Sequence, residues 1–220
     1  GAEGSILNGQ NARPVIWNEF TSSTALDNSA VLDGFTIKNG NNGDGGGFYN
    51  NYASPTLRNL LIKQNTATFG GGIFNDSSSP ILLGVKIIEN TALTAAAIWD
   101  SNNSSPVLTN VEISRNWSFG TDTEVITHLT GTLTLKNVTL VDNNATDGLL
   151  GSGIINIDNS IVYGGLVGTG NFIKKNSLIT GNTDFSNGNL DASGVTLNDL
   201  FTDTYNFIYT LKFGAKVINK

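Results

Sequence analysis

A seven-residue motif that returns about every 25 residues constrains this chain more than any other feature. It reads GFTIKNG from Gly34, NLLIKQN from Asn59, GVKIIEN from Gly84, NVEISRN from Asn110 and NVTLVDN from Asn137, with shorter echoes NSIVYGG from Asn159 and NSLITGN from Asn176. A fixed period of 20 to 50 residues is the signature of a repeat architecture. Positions two and four are apolar in the full copies: Phe35, Leu60, Val85, Val111 and Val138, then Ile37, Ile62, Ile87, Ile113 and Leu140. Such alternation describes a strand with one buried face.

Two further apolar elements keep the same period. Before the motif come SPTLR, SPILL and SPVLT, with Pro55, Pro80 and Pro106 in register, and then TLTLK without proline. Proline cannot donate to a ladder and suits a strand's first residue or a corner. After the motif come GGGFYN from Gly45, GGGIFN from Gly70, AAAIWD from Ala95 and GSGIIN from Gly151. No segment keeps helical spacing past one turn, and equivalent strands return in one direction, which excludes hairpins. The expectation is an all-β chain, a parallel β-helix with three short strands per coil, in which equivalent residues stack about 4.8 Å apart. The 220 residues are read as one domain: residues 1–30 as an incomplete first coil with Trp17 and Phe20, 31–182 as regular coils, and 183–220 as a closing segment of which Leu200–Lys220 cover the far end.

Asparagine recurs at position seven (Asn65, Asn90, Asn116, Asn143, Asn182) and position one (Asn59, Asn110, Asn137, Asn159, Asn176). Asparagine tolerates the left-handed backbone of a sharp corner, and stacked amides bond from coil to coil, so these columns read as structural. The 12 Lys and Arg against 18 Asp and Glu give a net charge of −6 and no basic patch, which argues against nucleic acid as a partner. Cysteine is absent, so disulfides and thiolate metal sites are excluded. No apolar stretch reaches the length of a membrane span, and the chain is read as a mature or trimmed segment, with a cytosolic protein as the alternative.

The string DGFTIKNGNNGDGGGFYNN, followed by SPTLRNLLIKQNTATFGGGIFNDSSSP, resembles the right-handed parallel β-helix repeats of secreted and surface-anchored bacterial proteins. The Gly-rich strand paired with an apolar strand ending in Asn is similar to polymorphic outer-membrane protein repeats. The segment Leu200–Asn219 resembles the end of choice-of-anchor β-helix domains, with Ala215 and Lys216 where that family has Ser-Pro. The resemblance implies a right-handed single-stranded parallel β-helix and an extracellular or bacterial outer-surface location. It implies no single activity, since such proteins range from adhesin-like passengers to polysaccharide-acting enzymes.

A polysaccharide lyase needs a base beside carboxylates, and a hydrolase needs close carboxylates. Glu89, Arg115 and Asp142 at position six form the best such cluster, yet alternating charge at that spacing reads as a salt-bridge ladder, as does Lys86 beside Glu112. His128, the one histidine, sits near Asp122 and Glu124 in an irregular stretch and reads as a loop residue. The segment NGNNGDGGG from Asn39 resembles calcium-binding Gly-Asp repeats, but it occurs once and a tight corner explains it; no metal or cofactor is expected. Thr66 with Thr91, and Thr68 with Thr94, suggest stacked threonines of the ice-binding kind, without a long regular array.

The remaining column is aromatic. Tyr49, Phe74 and Trp99 follow the inward Phe48, Ile73 and Ile98, so alternation puts them outside, with Asn50, Asn75 and Asp100 beside them as hydrogen-bonding groups. An exposed aromatic strip suits a glycan, whose C–H faces pack on rings while its hydroxyls need lateral partners. The expected function is a non-catalytic, adhesin-like secreted or surface module that binds glycan through these six residues. The alternative is a polysaccharide lyase or glycoside hydrolase acting on an extended polysaccharide.

Overall fold

The computed structural model describes residues 4–121, 123–206 and 208–212. The chain is a parallel β-helix. Three long sheets run along it. The first carries the motif strands, among them Thr36–Lys38, Leu61–Lys63, Lys86–Ile88, Glu112–Ser114 and Thr139–Val141. The second carries Ile16–Glu19, Phe48–Asn51, Ile73–Asp76, Ile98–Ser101, Glu124–His128 and Asp147–Gly151. The third carries Val31–Asp33, Thr56–Arg58, Ile81–Leu83, Val107–Thr109 and Thr132–Lys136, continuing through Ile154–Asp158. Sequence pattern had placed Gly151–Asn156 in the second sheet. Gly151 does end a second-sheet strand, but Ile154–Asp158 belong to the third sheet, with Ile155 opposite Leu133 and Ile157 opposite Leu135. Before Glu124–His128, the three-residue Gly or Ala run that leads into Phe48–Asn51, Ile73–Asp76 and Ile98–Ser101 is replaced by residues 119–123.

A fourth ladder, not expected from the pattern, lies between the first and second sheets: Asn41–Asp44, Thr66–Phe69, Thr91–Thr94 and Trp117–Ser118. These strands are short and polar, and they bury only Ala67, Ala92 and Ser118, so no apolar alternation announces them.

Coil length is visible in the bonds between equivalent residues. The separation is 25 residues at Asn50–Asn75, 26 at Asn90–Asn116 and 27 at Asn110–Asn137. It then shrinks to 22, 17 and 12. The C-terminal end is thereby drawn in, coil by coil, until the core narrows to a close. Inside, Ile37, Ile62, Ile87, Ile113 and Leu140 form one fully buried column, with Leu57, Leu82, Leu108 and Leu135 facing it from the third sheet.

Corner chemistry differs from the expectation in one respect. Position-one asparagines are left-handed, with φ of 51° at Asn59 and 56° at Asn110, as anticipated. The second left-handed residue is position six, at Asn39, Gln64, Glu89, Arg115 and Asp142, rather than position seven. Position seven points inward. Asn65, Asn90 and Asn116 are buried, and each side-chain amide donates both to a backbone carbonyl and to the next asparagine, as in Asn65 Nδ2 to Asn90 Oδ1 at 2.9 Å. Asn182 stands outside this ladder and accepts from Lys174 instead.

The closing segment packs sideways as well as at the end. Leu190–Asp191 adds a last strand to the first sheet, and Val195, Leu200 and Phe201 cover Val141, Ile161 and Leu178 on that sheet's outer side. A hairpin of Phe201–Asp203 with Ile208–Leu211 carries Tyr209, whose hydroxyl donates to Asp142 Oδ2 at 2.6 Å. Asp122, Ala215 and Lys216 lie outside the described residues.

Candidate functional site

The second sheet presents one aromatic column on its outer face. Trp17, Tyr49, Phe74 and Trp99 are cross-strand partners on successive coils. Trp17, absent from the sequence reading of the strip because no Gly-rich run precedes it, is 51% exposed. Its ring stacks on Tyr49 at 4.2 Å and 19°, and Tyr49 stacks on Phe74 at 5.6 Å and 4°. Trp99 turns aside to Phe69 of the corner ladder, at 4.8 Å and 53°. The rings thus shield one another's faces along the helix axis. A ligand meets the edges of Tyr49 and Phe74, while Trp17 at one end and the tilted Trp99 at the other retain face to offer. Beyond Trp99 the column continues with the buried Thr127 and ends as a surface feature.

The expected lateral groups are elsewhere. Asn50, Asn75 and Asp100 are fully buried, because the same alternation that turns Tyr49 outward turns its neighbour inward. They form a polar chain through the core. Asn18 Nδ2 donates to Asn50 Oδ1, Asn50 Nδ2 to Asn75 Oδ1, and Asn75 Nδ2 to Asp100 Oδ1, at 2.8 to 2.9 Å. Asp100 Oδ2 lies 3.3 Å from His128 Nδ1. His128 is therefore no loop residue: it occupies the strand Glu124–His128, fully buried, and its Nε2 has no hydrogen-bond partner among the described residues. Residues two along from the rings share their face. The outer column beside the aromatics is Glu19, Asn51, Asp76 and Ser101. Glu19 accepts from Trp17 Nε1 at 2.9 Å, and Asp76 accepts from Asn102 at 2.8 Å.

Carboxylates surround the middle of the strip. Burial pushes the Tyr49 hydroxyl above its ordinary value, and the charges of Glu19, Asp44 and Asp76 push it further. Burial also raises Asp44. The strands of the second sheet and of the corner ladder contain no lysine or arginine.

Other candidates resolve into structural contacts. Arg115 pairs with Glu89 at 2.8 Å, and Lys86 pairs with Glu112 at 2.8 Å. Thr91 stacks on Thr66, but Thr94 is paired with Phe69 rather than Thr68, so the second threonine column does not exist. In the Gly-rich segment, Asn42 donates to the Asp44 carbonyl within the strand Asn41–Asp44. Among the described residues no three His, Cys, Asp or Glu side chains converge as metal ligands, and no helix is long and apolar enough to cross a membrane.

Fold and site together define a class, a single-chain parallel β-helix with one aromatic, acid-rimmed face. Compared with protein-family models, with curated proteins and with solved structures, the chain matches none.

Proposed function

We propose that this β-helix is a non-catalytic, adhesin-like module of an exported bacterial surface or secreted protein, and that it holds an extended glycan along the aromatic face of its second sheet. One observation carries the reading. Trp17, Tyr49, Phe74 and Trp99 remain partly uncovered on four successive coils, beside an outward column of hydrogen-bonding groups, Glu19, Asn51, Asp76 and Ser101. Carboxylate and amide oxygens accept from sugar hydroxyls, and the half-exposed Trp17 and the tilted Trp99 offer ring surface to C–H groups. The face is shallow and leaves much of the ligand in water, so affinity is weak and grows with chain length.

The polysaccharide-lyase alternative finds less support. A groove on the first sheet brings Lys86, Glu112, Thr139 and Tyr209 together. Lys86 is already paired with Glu112, and Tyr209 donates to Asp142 with its hydroxyl pushed well above its ordinary value, first by burial and then by Asp142. A general base needs a shift in the other direction.

A glycan array followed by retention on the immobilised hit tests the reading. Trp17→Ala and Trp99→Ala should each reduce retention several-fold while leaving the thermal unfolding curve nearly unchanged. Retention unchanged in both variants, or release of unsaturated ends from the glycan, would overturn it.

A further inference from the structure

Carboxylates occur on every face of the helix, whereas no strand of the aromatic face carries a lysine or arginine. Lys38, Lys63, Lys86 and Arg115 lie on or beside the first sheet, and Arg58, Lys136, Lys174 and Lys175 on the third. The aromatic face has Glu19, Asp44 and Asp76 around Tyr49, and Arg13, on the turn before Ile16–Glu19, is the nearest basic residue in sequence. Neither the strands nor the Ser-Pro turns that leave this face contain a cation. Uncompensated carboxylates within reach of one ring column favour a ligand that brings positive charge, and they repel one that brings negative charge. Stacked rings add to this preference, because an ammonium beside aromatic surface is attracted by the ring quadrupole.

Resting on the glycan reading above, we infer that the strip selects an amine-bearing glycan, a β-linked glucosamine polymer with free amino groups, over neutral or uronic-acid chains. Each exposed ammonium–carboxylate contact contributes little alone. Two or three of them along one oligosaccharide give a preference on the order of tenfold, and salt screens most of it.

Affinity electrophoresis with glucosamine hexamer, cellohexaose and oligogalacturonate at mildly acidic pH tests this. The expected order is glucosamine hexamer about tenfold tighter than cellohexaose, with oligogalacturonate weakest. In 1 M salt the first two should converge. The E19Q/D76N double variant should bring the ratio of glucosamine to cellohexaose affinity close to one. Equal binding of the two hexamers by the parent, abolished by Trp17→Ala, would overturn the amine preference and leave the glycan reading standing. Binding of none of the three, alongside a blank glycan array, would overturn both. Amine-selective binding that E19Q/D76N does not alter would place the cation elsewhere on the molecule and contradict the inference.

Discussion

Asp100 shows how a single residue's role turns on the parity of its strand. It sits beside Trp99 in sequence, yet its carboxylate lies wholly inside, accepting from Asn75 and facing His128. A polar group in the core is tolerated only while its partners are present. Asp100→Ala leaves the Asn75 amide without its acceptor and the His128 Nδ1 without its partner, so it should destabilise by about 2 kcal/mol or more; chemical denaturation measures this, and a loss under about 1 kcal/mol would contradict the interior chain. Alternation made the outward aromatics legible from sequence. The same rule applied one residue further on would have placed Asn50, Asn75 and Asp100 inside, but their polarity argued for the surface. Ala95 carries the opposite lesson. Gly45 and Gly70 start the corner with φ of 69° and 64°, and Ala95 holds the equivalent place at 55°. A Cβ in that region costs about 1 kcal/mol, partly offset by the greater freedom glycine has when unfolded. Ala95 is fully buried, so Ala95→Gly also removes a packed methyl group worth about 0.8 kcal/mol, and relief of strain should roughly cancel that loss; a destabilisation above about 1.5 kcal/mol on chemical denaturation would count against strain at this corner.

Among elements, the motif strands and the proline-led strands were readable because a hydrophobic face repeats at period two in every copy. The corner ladder was not, since Asn41–Asp44 and Thr66–Phe69 bury almost nothing apolar. Nor was the placement of Glu124–His128, where insertion after Trp117–Ser118 removes the glycine signal and the strand is buried from end to end. Leu200–Lys220 were expected to cover the end; of their described residues, the hairpin lies against the side of the first sheet, while the coils themselves shorten toward the C-terminal end. Its anchor, Tyr209, should respond to pH. Burial and the bond to Asp142 raise its hydroxyl well above the ordinary 10.0, so the folded state favours the neutral phenol. That contribution is complete below about pH 10 and is lost as pH rises above it. Tyr209→Phe should be less stable than the parent near neutrality by about 1 kcal/mol, with the gap closing in alkali. Denaturation series at several pH values measure the gap; a constant difference would mean that the phenol does not titrate against the fold.

At the scale of the whole molecule, a solenoid distributes its stability through neighbouring coils and leaves its long faces free to differ. Here they do differ: the first and third sheets bear ion pairs such as Lys86–Glu112 and Arg58–Asp33, the first sheet's far end is covered by the closing segment, and the second sheet bears the aromatic strip. The repeat fold was legible from period alone. The ligand face was legible only in outline, because Trp17 lies in a coil without the repeat's glycine run and because strand parity, not composition, decides which polar column accompanies the rings. Of the three tryptophans, Trp17 and Trp99 lie on the strip and Trp117 lies on the corner ladder. In a Trp117→Phe variant, selectively excited tryptophan fluorescence therefore reports from the proposed ligand face alone. Titration of this variant with the glycan that the parent retains should give a saturable spectral shift whose midpoint matches retention; a variant that still binds that glycan with no change in emission would contradict a ligand seated on the second sheet.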